Sequence, residues 1–279
     1  MTDIPENTPA LWQASFPFPE SDSHKYSRGI ALIRGGATLT GAARLAARAA
    51  QRMGAGLVTV AAPATALPVY AESLESVIVR PCDALREWQT LVNDAKHPAI
   101  LIGPGLGLGV ARTQEVVAVL DSKRSCVLDA DALTNFADQP ETLLEKLYPE
   151  CVLTPHEGEF ARLFGGGEGD KTARAVQAAE RAGCIVLLKG AETIIAAPDG
   201  HVAINRNAPP WLATGGSGDV LAGMIVGLIA QKMSPFLSAC AAAWMHGKIA
   251  SDHGPGLIAE DIVAGIPKAL LSLFKNRAH

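Results

Sequence analysis

An aspartate in the first turn of a helix, directly after a run of glycines, is what a site handling phosphate groups requires. This chain has one at Leu212-Ala213-Thr214-Gly215-Gly216-Ser217-Gly218-Asp219, followed by the apolar run Val220 to Gly227. The small residues let backbone N–H groups approach an anion closely. The helix that follows aims its unpaired N–H groups and positive dipole end at the same point. The N–H groups of Gly216, Ser217 and Gly218 are therefore candidate holders of charge developing on a transferred phosphoryl group, and Asp219 is the candidate base beside it. The plain alternative is a turn whose aspartate caps a helix.

Four further segments bear polar or glycine-rich residues just after short aliphatic runs. They are Gly103-Pro104-Gly105-Leu106-Gly107 after Ile102, and Asp129-Ala130-Asp131 after Leu128. Thr154-Pro155-His156-Glu157-Gly158-Glu159 follows Leu153, and Lys189-Gly190-Ala191-Glu192-Thr193 follows Leu188. Each has a bland reading: a loop, a helix cap, exposed first-turn residues, a solvated cation. In an open parallel sheet, however, ligands bind beyond the carboxyl ends of the strands. Four such segments and the glycine turn together read as a cleft for an anionic, nucleotide-like ligand.

The elements that must position these residues follow from the apolar pattern. Ile30–Arg34, Leu57–Ala61, Ser76–Val79, Ala99–Ile102, Cys126–Asp129, Cys151–Thr154 and Ile185–Leu188 read as buried strands separated by helix-sized segments. Continuous aliphatic strands alternating with helices predict a mostly parallel sheet covered on both faces, a three-layer α/β/α sandwich. Ile194–Ala197 and Val202–Ile204, around Pro198–His201, read as an antiparallel hairpin. Between Gly41 and Met53 apolar residues recur at helical spacing, and from Ser217 onward the chain reads as almost entirely helical. Residues 1–25 form a proline-rich extended lead-in with one short helix, and residues 1–279 are expected to make one domain.

Composition narrows the function classes. Among 279 residues, 48% are hydrophobic but only 5% aromatic, and 24 basic against 28 acidic residues leave a net charge of −4. Nothing there favours a nucleic-acid or membrane surface. Cys82, Cys126, Cys151, Cys184 and Cys240 are scattered singly, which opposes a disulfide framework or zinc site and fits a reducing cytoplasm. The acidic, proline-rich start is unlike a signal peptide.

The combination resembles the ADP- or ATP-dependent NAD(P)H-hydrate dehydratase family of the ribokinase-like superfamily. The likeness rests on Gly35-Gly36 with Thr40-Gly41-Ala42-Ala43, Gly54-Ala55-Gly56-Leu57-Val58-Thr59-Val60, Gly103-Pro104-Gly105, Asp129-Ala130-Asp131, Thr154–Glu159, Lys189-Gly190, Ala213–Gly223 and His246-Gly247. It runs from about residue 24 onward. The resemblance implies repair of NAD(P)HX, the hydrated form of NADH or NADPH, with ADP or ATP as phosphoryl donor and Mg2+ as cofactor. It makes Asp219 the base and assigns Lys189, Gly190, Ala191, Glu192, Thr193 and Gly218 to the nucleotide. Gly41, Ala42, Ala43, Gly105, His156 and Asp219 would line the hydrated dinucleotide, and Glu159 and Asp129 would help hold magnesium or its waters. It further implies a homo-oligomer, a tetramer by preference, working with a separate NAD(P)H-hydrate epimerase for which this chain has no room.

The chain departs from the family pattern at Tyr26, where glycine usually follows the His-Lys pair, and in a shorter Ala37–Thr40 segment. Two other readings share the glycine turn. One is a ribokinase-like kinase of a small alcohol, such as a thiazole or pyridoxal kinase, and the other is a non-catalytic nucleotide-binding module. The Thr154–Glu159 turn favours the dehydratase over the first, and the intact Asp219 favours it over the second.

Overall fold

Nine strands make one sheet in the computed structural model, which describes residues 4–96, 99–166 and 168–277. They are β1 Ile30–Arg34, β2 Leu57–Ala62, β3 Ile78–Pro81, β4 Ala99–Ile102, β5 Ser125–Leu128, β6 Cys151–Leu153, β7 Ile185–Leu188, β8 Thr193–Ala196 and β9 Val202–Asn205. Their order is β3-β2-β1-β4-β5-β6-β7-β8-β9. β1 to β7 pair in parallel, and the β7–β8–β9 edge is antiparallel. The strand order reverses between β1 and β4, the kind of switch point at which open sheets leave a crevice.

Alternate strand residues feed two separate cores, as the two-residue period of a strand dictates. Ala31, Ile33, Val58, Val60, Leu101 and Val127 face one side; Leu32, Ala61, Ile100, Ile102, Cys126 and Leu128 face the other. The first side is covered by α1 Pro9–Trp12, α2 Thr40–Arg52, α3 Leu67–Ser73, and then α10, α11 and α12 at Ser217–Ala230, Pro235–His253 and Ala259–Arg277. The second is covered by α4 Leu85–Asn93, α5 Val110–Asp121, α6 Asp131–Thr134, α7 Glu141–Leu144, α8 Glu157–Phe164 and α9 Lys171–Ala182. This is the expected three-layer α/β/α sandwich.

α10 is buried along its whole length from Val220 to Ala230 and packs against α2. Gly223 and Gly227 permit that approach, because a Cβ at either would strike the backbone of Ala46 or Ala50. The seam fixes the N-terminus of α10, and with it Asp219, relative to the sheet.

The structure corrects strand bounds at the margins, by one residue at β2, β5, β6, β8 and β9 and by two at β3. The third strand covers Ile78–Pro81 rather than Ser76–Val79, and it is a largely exposed edge paired only with β2. Its apolar residues mimic a central strand in sequence, but only one face has a neighbouring layer. β5 also ends at Leu128, one residue before Asp129, because the chain turns through Ala130 at φ 49°.

The described part of the lead-in, from residue 4, is docked rather than loose; residues 1–3 lie outside the described residues. Trp12 of α1 is fully buried, and Asn7 donates to Asn205 Oδ1 at 2.9 Å and to the Cys240 carbonyl at 2.7 Å. All five cysteines are free and buried, and the β5–β6 register brings Cys126 and Cys151 side by side, with their sulfurs 3.5 Å apart. Among the described residues, no helix is long and apolar enough to cross a membrane.

Candidate active site

A cavity of about 920 Å³ opens beyond the carboxyl ends of β5, β6 and β7, against the start of α10. Asp129, His156, Glu159, Lys189, Gly190, Ala191, Thr193, Gly216, Ser217, Gly218 and Asp219 all line it. Those predicted residues, drawn from four separate segments, share one wall.

The start of α10 is built to receive an anion. Its N-cap is Gly216 at φ 87°, a left-handed conformation that costs glycine nothing and that has no side chain to occupy the helix end. Among the described residues, no acceptor takes the N–H groups of Gly218 or Asp219. The Ser217 hydroxyl turns away and donates to the Leu212 carbonyl at 2.8 Å. What faces the cavity is therefore backbone N–H and the Asp219 carboxylate. Burial, reinforced by the Asp129 carboxylate and opposed by Lys189, pushes the Asp219 carboxyl up to about 7. A carboxylate poised near neutrality is well matched to accept a proton at neutral pH.

Lys189 crosses from the end of β7 to Asp129, with Nζ 2.9 Å from Oδ1, and the same oxygen accepts the Thr154 hydroxyl at 2.8 Å. Burial alone would lower the Lys189 ammonium, but Asp129, Glu159 and Asp219 outweigh it and hold the group above its usual value. Three carboxylates thus surround one cation, leaving the cavity wall net negative. Among the described residues no three His, Cys, Asp or Glu side chains come together as a metal-binding group, so these carboxylates would reach a divalent cation only with waters completing its shell.

His156 does two things. It lines the cavity, and it is also the N-cap of α8: its Nδ1 accepts the N–H groups of Gly158 at 3.0 Å and Glu159 at 3.2 Å. Glu159 Oε2 in turn accepts the His156 N–H at 2.9 Å, a reciprocal capping box. Nδ1 is thereby an acceptor and Nε2 carries a proton, 3.6 Å from Glu159 Oε1.

Not every predicted residue shares this wall. The Glu192 side chain is exposed and pairs with Arg206 at 2.8 Å, while its carbonyl accepts Lys171 Nζ at 2.7 Å. Gly41, Ala42 and Gly105 lie outside the cavity, on a shelf at the β1–β4 switch point, whereas Ala43 is fully buried in the core beneath them. There Gly105 abuts Gly36 and Leu39. The shelf adjoins the anion cradle through Leu45 of α2, which packs against Gly216.

Residues to which the sequence gave no role support the site. Asp131 Oδ2 accepts the Gly107 N–H and Asn135 Oδ1 the Gly109 N–H, both at 2.8 Å, so α6 holds the Gly103–Gly109 loop. Arg34 is fully buried and makes a bidentate pair with Glu115, at 3.0 and 2.7 Å, directly before the Gly35-Gly36 loop. Tyr70 donates to the Gly36 carbonyl at 3.0 Å. His246 of α11 also lines the cavity. Its sequence signal was the His246-Gly247 pair, which the resemblance noted without a role.

Comparisons with known proteins point the same way. A family model described as NAD(P)H-hydrate dehydratase matches residues 30–268. The chain is 38% identical to a bifunctional NAD(P)H-hydrate repair enzyme from Salinibacter ruber, over 97% of this chain and 53% of that one. It is 35% identical to the ADP-dependent (S)-NAD(P)H-hydrate dehydratase of Neisseria meningitidis, over 88% of this chain and 86% of that one. The chain spans about half the length of the bifunctional relatives. Among solved structures, the ADP/ATP-dependent NAD(P)H-hydrate dehydratase of Bacillus subtilis, co-crystallised with ATP and Mg2+, superposes with a TM-score of 0.83 at 29% identity, covering 98% of this chain and 100% of that one. The ribokinase-like architecture expected from the sequence recurs among these structural neighbours. This chain belongs to the NAD(P)H-hydrate dehydratase family.

Proposed function

We propose that this protein dehydrates the S epimer of NADHX and NADPHX back to NADH and NADPH, using the terminal phosphoryl group of ADP or ATP. The observation that carries the reading is Asp219. It is a half-buried carboxyl lining the cavity in the first turn of a helix whose Gly218 N–H is open to an anion.

In this reading Asp219 takes the proton of the ring hydroxyl, and the hydroxyl oxygen attacks the terminal phosphorus. The bond from that phosphorus to its bridging oxygen breaks, leaving AMP from ADP or ADP from ATP. The N–H groups of Gly216 and Gly218 hold the charge that develops on the phosphoryl oxygens, and that of Ser217 joins them only by leaving the Thr214 carbonyl, 3.4 Å away. The ring carbon–oxygen bond then breaks with loss of a neighbouring ring proton, restoring the double bond and releasing inorganic phosphate.

Lys189, Gly190, Ala191 and Thr193 border the nucleotide, with the Lys189 charge near its phosphates, and the Glu192 backbone shapes the same loop. Gly41, Ala42, Gly105 and His156 receive the hydrated dinucleotide, with the buried Ala43 supporting that turn from the core. Glu159 and Asp129 would hold Mg2+ mainly through waters, since Asp129 Oδ1 and Glu159 Oε2 already accept protein hydrogen bonds. That ion would add positive charge beside the nucleotide phosphates. We further read the protein as a cytoplasmic homo-oligomer, a tetramer by preference, paired with a separate epimerase. The bifunctional naming of longer relatives supports the last point.

The test mixes the protein with NADHX, Mg2+ and either ADP or ATP, following reduced-nicotinamide absorbance together with phosphate release. Absorbance and phosphate rising together, one for one, support the dehydratase. A stable phosphorylated alcohol without free phosphate would instead indicate a kinase, and no nucleotide turnover a binding module.

A further inference from the structure

His246 lies on α11, is 8% exposed and lines the cavity, yet the reaction outlined above gives it no task. Its Nε2 is 2.9 Å from the carbonyl oxygen of Ser217. A carbonyl can only accept, so Nε2 carries the proton and Nδ1 is a bare acceptor. Burial holds the imidazolium down to about 4, although the bond to Ser217 works in the other direction, so the ring is neutral at physiological pH.

The Ser217 carbonyl and the Gly218 N–H belong to one peptide unit. That unit is planar and trans, so its C=O and N–H point in opposite directions. Fixing the oxygen therefore fixes where the N–H is aimed. Glycine on both sides, at 216 and 218, leaves the first peptide of α10 more freedom than the rest of the helix, so a second bond to its carbonyl has something to add to the helical one. A hydrogen bond to the carbonyl also polarises the peptide and makes its N–H the stronger donor.

We propose that His246 is a positioning residue: by donating Nε2–H to the Ser217 carbonyl, it aims the Gly218 N–H at the phosphoryl group transferred at the start of α10. This rests on the reading of that helix start as the anion cradle. His246 touches no reacting atom in this account and acts only through the peptide it holds.

Three variants test it. In His246→Gln the side-chain amide nitrogen reaches the position of Nε2 and can donate to Ser217. In His246→Asn the amide sits nearer the position of Nδ1 and falls short. His246→Leu fills the space and donates nothing. Turnover of NADHX should fall about 10–100-fold in the Leu and Asn variants, somewhat less than loss of a direct oxyanion donor. The Gln variant should stay within about threefold of wild type, and KM for NADHX should stay nearly constant throughout. Calorimetric titration of ATP with Mg2+ provides a readout independent of the dehydration chemistry, and affinity should drop in Leu and Asn but not in Gln. Should wild type fail to dehydrate NADHX, the functional reading falls while the titration still decides this one. Leu matching wild type in ATP affinity overturns the proposal. So does equal loss in Gln and Asn with a shared fall in Tm, since that is the pattern of a residue needed only for packing.

Discussion

α8 and α10 begin on the same cavity, and each places a carboxylate in its first turn, yet their N-terminal N–H groups meet opposite fates. At α8 the His156 ring accepts two of them and Glu159 closes the box from the other side. At α10 the cap is a glycine with no side chain, and the N–H groups of Gly218 and Asp219 are left open. The positive end of α8 is occupied by the protein's own groups, whereas that of α10 is left open, as the proposed phosphate site needs. A polar residue in a cleft is thus not defined by its type. What separates a cap from a catalytic group is whether the backbone beside it is already satisfied.

The sharpest way to break this comparison is to alter the carboxylate at the open end. Asp219→Asn keeps the shape but cannot take a proton, and turnover should fall about 10²–10⁴-fold with ATP affinity little changed. The same substitution has a stability signature. Asp219 has a folded value of about 7, above the ordinary carboxylate value of about 3.9. Protonated Asp219 therefore favours the folded state below about pH 4, and that contribution is lost as pH rises through about 7. Asp219→Asn should accordingly melt above wild type at about pH 8, with the gain shrinking as pH falls toward about 4. A variant less stable than wild type at about pH 8 would mean that ionised Asp219 stabilises the fold.

Gly218→Val tests the openness of α10 itself. A Cβ there would meet only Lys189 Nζ, at an ordinary contact distance of 3.5 Å, so the unliganded fold should tolerate it. Nucleotide affinity should fall at least about tenfold, as the side chain intrudes where phosphate approaches the backbone. Unchanged affinity in the folded variant would place the phosphate elsewhere.

The smallest effect is expected at the closed end. His156→Ala removes the α8 cap and should cost about 1 kcal/mol of stability, visible as a fall in Tm of a few degrees. His156→Asn should restore the stability, because asparagine caps well, but not the dinucleotide contact. KM for NADHX should therefore rise several-fold in both variants while ATP affinity holds. Full recovery of KM in His156→Asn would reduce His156 to a cap alone.

What the sequence disclosed follows from the range of each signal. The glycine turn at Gly215–Asp219 and the polar strand ends at Asp129, His156 and Lys189 are local, written in consecutive residues, and the structure gathers all of them around one cavity. The alternating layers were legible for the same reason, since strand and helix periods are local patterns. Contacts between distant segments were not. Arg34 looks like a polar strand end until Glu115, 81 residues away, is folded against it. Asn7 is an unremarkable polar residue of the lead-in until β9 and α11 supply its acceptors. The exposed edge at Ile78–Pro81 was misread because an apolar run reports that a strand forms, not how many layers cover it. Glu192 shows the converse: the loop it belongs to borders the cavity, but its side chain is drawn outward to Arg206.

The most direct test of the central claim, that Asp219 is the base and that its environment sets its proton affinity, is the pH dependence of kcat/KM for NADHX at saturating ATP and Mg2+. Activity should fall on the acid side as the Asp219 carboxylate takes up a proton, a limb that the value of about 7 in the unliganded protein brings well above the ordinary carboxylate range. The residual activity of Asp219→Asn should lack that limb. A wild-type profile that stays flat from about pH 5.5 to about pH 8.5, or an acid limb that survives in Asp219→Asn, would contradict the assignment.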